Sequence, residues 1–243
     1  MGKIFLSSLV CLGIMVSGFA ANETNAPEVI KLKPLPAESF PEWAKGGKSL
    51  FKINAGEYIC YLDGAAFVAG ICTKDGKRVL GKSCSWLMQY KENGKLQNYQ
   101  EYIGIPKVKV FRTGDTLSIV IPQQEGELLG WERKITFQGK EINIEFAFRF
   151  MDSFKEQAQQ TEYLSIFTRL TLPGFNLEKQ TQKNAVFKND SFSWEISFNP
   201  DSGHKCWWID RNAKELRVSP GNASDLRKIP GESFKIKVVL KPL

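Results

Sequence analysis

The chain has a single histidine, His204, and this alone removes much of the usual repertoire of acid–base and metal chemistry. A site built on two imidazoles cannot be assembled. Cysteine is scarce as well: five in all, with Cys11 near the N-terminus and Cys60, Cys72, Cys84 and Cys206 scattered without the paired spacing of zinc ligands. No metal and no cofactor is therefore expected. The sequence contains no G-x-S-x-G elbow, no P-loop and no dinucleotide fingerprint, which removes the common hydrolase and nucleotide classes. After residue 20 no apolar run approaches the roughly 20 residues that a membrane-spanning helix needs. No dense Lys/Arg cluster occurs either, so nucleic acid is not an expected partner. A 3.6-residue apolar period is almost absent.

What is present begins with Lys3, an apolar run over 4–19, and Gly18-Phe19-Ala20, where small residues sit three and one positions before a cut. Residues 1–21 read as a signal peptide, which makes the mature chain exported, periplasmic or extracellular. Residues 22–45 hold Pro27, Pro34, Pro36 and Pro41 and little periodicity, which predicts an extended leader. Residues 46–243 then read as one domain, long enough for a large core and short for two.

Within 46–243 the dominant signal is alternation. Ile142, Ile144, Phe146, Phe148 and Phe150 fall on one face of a strand, as do Leu117, Ile119 and Ile121, then Phe192, Trp194, Ile196 and Phe198, and last Phe234, Ile236, Val238 and Leu240. One apolar face per strand predicts sheets packed face to face, an all-β, large antiparallel sandwich of about fifteen strands with little helix. The one helical candidate is 152–160, where Ser153 and Glu156 have capping-box spacing. Two-residue turns at Asp63-Gly64 and Asp75-Gly76 would pair Leu62 with Ala65 and Lys74 with Lys77. Cys60 and Cys84 would then lie two strand spacings apart, roughly 10 Å, beyond disulfide reach. Cys72 would fall on the opposite face. At most Cys206 would bond to one of these three.

These turns carry a resemblance. Phe51-Lys52-Ile53 running into Ala55-Gly56, then Asp63-Gly64-Ala65 and Asp75-Gly76-Lys77, resemble the opening of galactose mutarotase-like supersandwich domains. Ile229-Pro230-Gly231-Glu232-Ser233-Phe234 and the alternating 235–240 resemble their closing strand. Trp131-Glu132-Arg133 and 142–150 are compatible with their long central strands. The resemblance spans 46–243 and implies a carbohydrate context. Mutarotases work through histidines and a glutamate, and with His204 alone no catalytic residue carries over, so mutarotase activity is not expected.

The candidate ligand-binding residues are Trp131, Arg133, His204, Trp207 and Trp208. Adjacent tryptophans on a strand point to opposite faces, so one of Trp207 and Trp208 is placed to offer a flat indole to a sugar ring. His204 follows a turn-like Asp201-Ser202-Gly203. Glu125, Glu127 and Glu132 flank Trp131 and Arg133, and paired carboxylates could support glycoside hydrolysis. The chain carries 33 basic and 26 acidic residues, net +7, so acidic polysaccharide is a conceivable partner. Three functional readings stand at this stage. The first is an exported, non-catalytic carbohydrate-binding module. The second is a carbohydrate-active enzyme, a lyase or epimerase relative using His204 or Tyr163 as base. The third is an interaction protein of the cell envelope.

Overall fold

A computed structural model describes residues 26–45, 50–64, 66–82, 85–99, 107–126, 128–154, 156, 163–181, 184–198, 205–209, 214–220 and 233–243. The expected signal peptide at 1–21 and His204 lie outside these residues. Eighteen strands, numbered in chain order, build the described part, against the expected fifteen or so. The surplus includes β1 (Glu28–Val29), β7 (Lys95–Tyr99) and β13 (Asn176–Gln180), which are mostly polar and exposed along their described lengths and so present no period-two apolar signal.

A nine-stranded antiparallel sheet forms one layer. Its order is β1, β8 (Lys109–Thr113), β9 (Thr116–Glu125), β10 (Leu129–Gln138), β11 (Glu141–Phe150), β18 (Ser233–Pro242), β15 (Ser193–Phe198), β14 (Asn184–Lys188) and β13. The second layer is two smaller sheets. One is β2 (Phe51–Ala55), β3 (Tyr58–Leu62), β4 (Val68–Thr73) and β5 (Arg78–Leu80). The other runs β16 (Lys205–Ile209), β17 (Glu215–Ser219), β12 (Tyr163–Thr171), β6 (Ser85–Glu92) and β7.

The alternating residues are the reason the layers adhere. Ile142, Ile144, Phe146 and Phe148 of β11 are buried, and so are Leu117, Ile119 and Ile121 of β9 and Ile236, Val238 and Leu240 of β18. All join one core with residues from both smaller sheets. Aromatic rings stitch the layers: Tyr58 of β3 sits 6.2 Å from both Phe137 and Trp194, and Trp86 of β6 sits 5.7 Å from Trp131 and 5.8 Å from Phe148. Offset and edge-on pairs of this kind add to the burial of apolar area. The fold is an all-β antiparallel sandwich.

Two turns depart from the expected geometry. Leu62 pairs with Val68, not Ala65, because the Asp63 side chain accepts a hydrogen bond from the Phe67 amide at 3.0 Å and closes a five-residue loop over 63–67. After β4, Thr73 bonds Lys77 across a three-residue turn with Gly76 at φ +85°, so Lys74 does not face Lys77. The Asp75 carboxylate accepts from the Thr73 hydroxyl and holds that longer turn. The opposition of the first cysteines survives the change: Cys60 joins the main core, and Cys72 lies on the other face of β2–β5. Cys84 and the side chain of Cys206 lie outside the described residues.

Residues 26–45 lie on the domain. Strand β1 pairs with β8, Leu35 bridges to Leu50, and two 3₁₀ turns, Ala37–Ser39 and Glu42–Ala44, cover the outer face of the four-stranded sheet. Phe40 and Ala44 are buried there with Tyr61, Ala69 and Cys72. Gly70 permits this contact, since a Cβ at that position would collide with the Trp43 ring. Residues 152–154 and 156 are helical. They lie on the crossover from β11 to β12, with Phe154 stacked on Phe150 at 4.1 Å. Residues 157–160 of the expected helix are outside the described part.

Candidate functional site

Strands β12 and β17 turn one face to the core and gather charge on the other, where Ser165, Phe167, Glu215 and Ser219 are nonetheless buried. In β17 Leu216 and Val218 point inward, leaving Glu215, Arg217 and Ser219 on the other side; in β12 Ile166, Thr168 and Leu170 point inward, leaving Ser165, Phe167 and Arg169. The pairing places Arg169 directly opposite Arg217. Like charges so opposed are destabilising on their own. Glu215 resolves the conflict. It lies two residues before Arg217 on the same face, opposite Thr171 and diagonal to Arg169.

The geometry is tight. Arg169 donates from Nε and Nη2 to Glu215 Oε2 at 2.9 and 2.5 Å, and Arg217 donates from Nε to Oε1 at 2.5 Å. The Glu215 side chain is 3% exposed, whereas those of Arg169 and Arg217 are 37% and 25% exposed. Burial pushes the Glu215 carboxyl up, but the hydrogen bonds and charges of the two guanidiniums outweigh it and hold the group below its ordinary value. The guanidinium of Arg217 also lies 4.6 Å from the centre of the Phe167 ring. One carboxylate against two guanidiniums leaves a net charge of +1. The Nη atoms of Arg217 bond to no acceptor among the described residues. A fork of parallel N–H donors suits a planar or tetrahedral anion.

The same face continues across the sheet. Ser165 pairs with Gln89 and Gln89 with Asn98, whose side chains are joined by a 2.8 Å hydrogen bond. On the other side Trp207 of β16 is the register partner of Arg217, and Trp208 that of Leu216. The side chains of Trp207, Trp208 and Tyr163 lie outside the described residues.

Of the other sequence candidates, Trp131 and Arg133 share the inward face of β10 with Ile135 and Phe137, and each is 3% exposed. Trp131 meets Trp86 edge-on and also lines a hollow of about 240 Å³ with Phe148, Phe234 and Arg149. Arg133 runs under the 63–67 loop, where it donates to the carbonyl of Ala66 with its guanidinium 6.0 Å from the Phe67 ring. The structure thus gives Arg133 a loop-anchoring contact in the interior and does not bring it near Arg169 or Arg217. Glu125 is exposed and paired with Arg149 at 3.2 Å, Glu132 is exposed, and Glu127 lies outside the described residues. Among the described residues no three His, Cys, Asp or Glu side chains gather as metal ligands would. Arg169, Glu215 and Arg217 escaped sequence reading because they come together only through strand register; the available signal was the polar–apolar–polar order of Glu215-Leu216-Arg217.

No family model matches the chain, and no curated protein matches it. Among solved structures it is similar to a putative aldose 1-epimerase from Escherichia coli K12, at 8% identity and TM-score 0.46 over 80% of this chain and 98% of that one. It is also similar to a galactose mutarotase related enzyme from Lactobacillus acidophilus, at 8% identity and TM-score 0.40 over 80% and 97%. A galactose mutarotase-like protein from Clostridium acetobutylicum is similar at 10% identity and TM-score 0.44 over 88% of this chain and 99% of that one.

Proposed function

We propose that this chain is an exported, non-catalytic carbohydrate-binding protein, and that it takes acidic sugars at the partly exposed Arg169 and Arg217 of β12 and β17. The observation that carries the reading is the pair Arg169 and Arg217, which share one buried carboxylate and keep a surplus positive charge on a sheet face. A uronate or sulfate group matches a guanidinium fork in geometry and charge, and the Arg217 guanidinium lies 4.6 Å from the centre of the Phe167 ring. The chain's net charge of +7 draws a polyanion toward this face. Export is supported by the signal-peptide pattern of residues 1–21.

Binding is favoured over catalysis by the state of Glu215. A general acid must carry a proton near its working pH, whereas Glu215 is held ionised between two arginines and can only accept hydrogen bonds.

Affinity electrophoresis of the full mature chain through gels containing polygalacturonate, or dextran as a neutral control, tests the reading. Retardation is expected in polygalacturonate only, falling as salt screens the charges, and lost in Arg169→Gln/Arg217→Gln with the β circular-dichroism signature kept. Equal mobility in both gels, or undiminished retardation of the double variant, overturns it.

A further inference from the structure

We propose that residues 36–45 form a lid that opens as a unit, uncovering the outer face of the four-stranded sheet and the Cys72 thiol while both layers of the sandwich stay packed. The backbone fastens this lid at one point. Leu35 bridges to Leu50, its amide donating to the Leu50 carbonyl at 3.2 Å, so the chain leaves the sheet before the lid and rejoins it afterwards at the same place. Strand β1, paired with β8, lies on the far side of that bridge and stays behind when the lid lifts.

The lid's own hydrogen bonds all turn back on itself. The amides of Ser39, Phe40, Ala44 and Lys45 donate to the carbonyls of Pro36, Ala37, Pro41 and Glu42, and the Lys45 ammonium pairs with the Glu42 carboxylate at 2.7 Å. Among the described residues no hydrogen bond runs from 36–45 to the sheet. Side chains alone attach it: Phe40 and Trp43 meet Tyr61 edge-on at 5.6 and 5.5 Å, and the Arg78 guanidinium lies 4.9 Å from the centre of the Trp43 ring, which is seated on Gly70. Lifting the lid therefore breaks no hydrogen bond of the sheet.

What the lid covers is a core of its own. Phe40, Ala44, Leu50, Tyr61, Ala69 and Cys72 are buried in a cluster separate from the main one, to which Ile53, Cys60, Leu62 and Ile71 of the same sheet belong. Cys72 is 2% exposed, and a hydrogen bond joins its side chain to that of Tyr61. A small satellite cluster closed by side-chain contacts alone opens at a lower free energy than the main core, as local unfolding units do. Opening exposes Tyr61, Ala69 and Cys72, while Cys60 on the other face of the sheet stays shut away. The lid thereby sets how often this face and its thiol meet solvent.

The test is N-ethylmaleimide labelling of residues 22–243 under reducing conditions, read peptide by peptide by mass spectrometry, with each thiol's rate divided by its rate in the urea-unfolded chain. Cys72 should label at least roughly tenfold faster than Cys60. Its rate should stay nearly flat in dilute urea, because the lid exposes little surface on opening, whereas Cys60 should follow the steep slope of global unfolding. Trp43→Ala should speed Cys72 roughly tenfold or more. Ile144→Val, buried in the main core, should speed Cys60 by about two- to tenfold and leave Cys72 unchanged. One shared rate and urea slope for the two thiols overturns the proposal. So does a Cys72 rate that Trp43→Ala does not raise, or one that Ile144→Val raises as much as that of Cys60.

Discussion

Replacing Glu215 by Gln removes one negative charge from between two guanidiniums and leaves the shape of the side chain intact. Three charge-assisted hydrogen bonds converge on this carboxylate. Each is worth about 1.5–3 kcal/mol when fully desolvated. The arginine side chains are 37% and 25% exposed, so solvent screens part of that interaction. Removing one partner of a buried pair costs about 3–5 kcal/mol, and screening places the expected loss near the lower end, about 3 kcal/mol. For a domain of this size that lowers Tm by about 6–12 °C. The pH dependence has a definite sign. The folded Glu215 carboxyl lies below its ordinary 4.5, so the wild-type advantage is complete above that value and declines as acid protonates the unfolded chain first. Urea unfolding of wild type and Glu215→Gln at a series of pH values measures the gap directly. A gap under about 0.5 kcal/mol at pH 7, the size expected of an exposed pair, refutes the reasoning; so does one that fails to narrow below pH 4.5.

Gly70→Ala should destabilise the chain by about 1–3 kcal/mol through overpacking, because its Cβ meets the Trp43 ring and stands 3.1 Å from the Leu80 carbonyl oxygen. Thermal unfolding should show less than half that penalty in a Trp43→Ala background, and an equal penalty there would mean that the strap over 37–44 is not seated on Gly70. Burial, reinforced by Glu57 for Tyr58 and by Cys72 for Tyr61, pushes both phenols up to about 12. The stability they confer is complete below pH 10 and is lost as pH rises from 10 to 12. Phenolate absorbance should therefore place these two tyrosines, identified by Tyr→Phe variants, among those that ionise only with alkaline unfolding; ordinary midpoints in the folded chain would contradict their burial. Cys60 and Cys72 occupy opposite faces of one sheet, so a peptide map under non-reducing conditions should contain no link between them. Finding one would overturn the register of β3 and β4.

The layered architecture was legible because alternation is a local property: 142–150 and 234–240 declare their inward residues without reference to any other strand. Arg133 was read as a candidate ligand-binding residue; its parity with Ile135 and Phe137 turns it inward, and the Ala66 carbonyl in the interior shows how a guanidinium can be buried there. The Asp63-Gly64 turn lengthened because the Asp63 carboxylate captures the Phe67 amide, an interaction no dipeptide rule contains. Strands β7 and β13 are edge strands with mostly exposed residues and so carry little apolar period, Leu177 of β13 alone packing against the core among their described residues. The arginine face was least legible: Arg169 and Glu215 are 46 residues apart in sequence and meet only once β12 and β17 are in register.

Isothermal titration of residues 22–243 with trigalacturonate, beside Arg217→Lys, addresses the proposed acid-sugar recognition at the β12–β17 face most directly. Lysine keeps the charge and loses the fork, so the expected result is measurable, salt-sensitive heat for wild type and an affinity at least roughly tenfold lower for the variant. No heat with the wild-type chain, or equal affinity in the two proteins, would contradict the account.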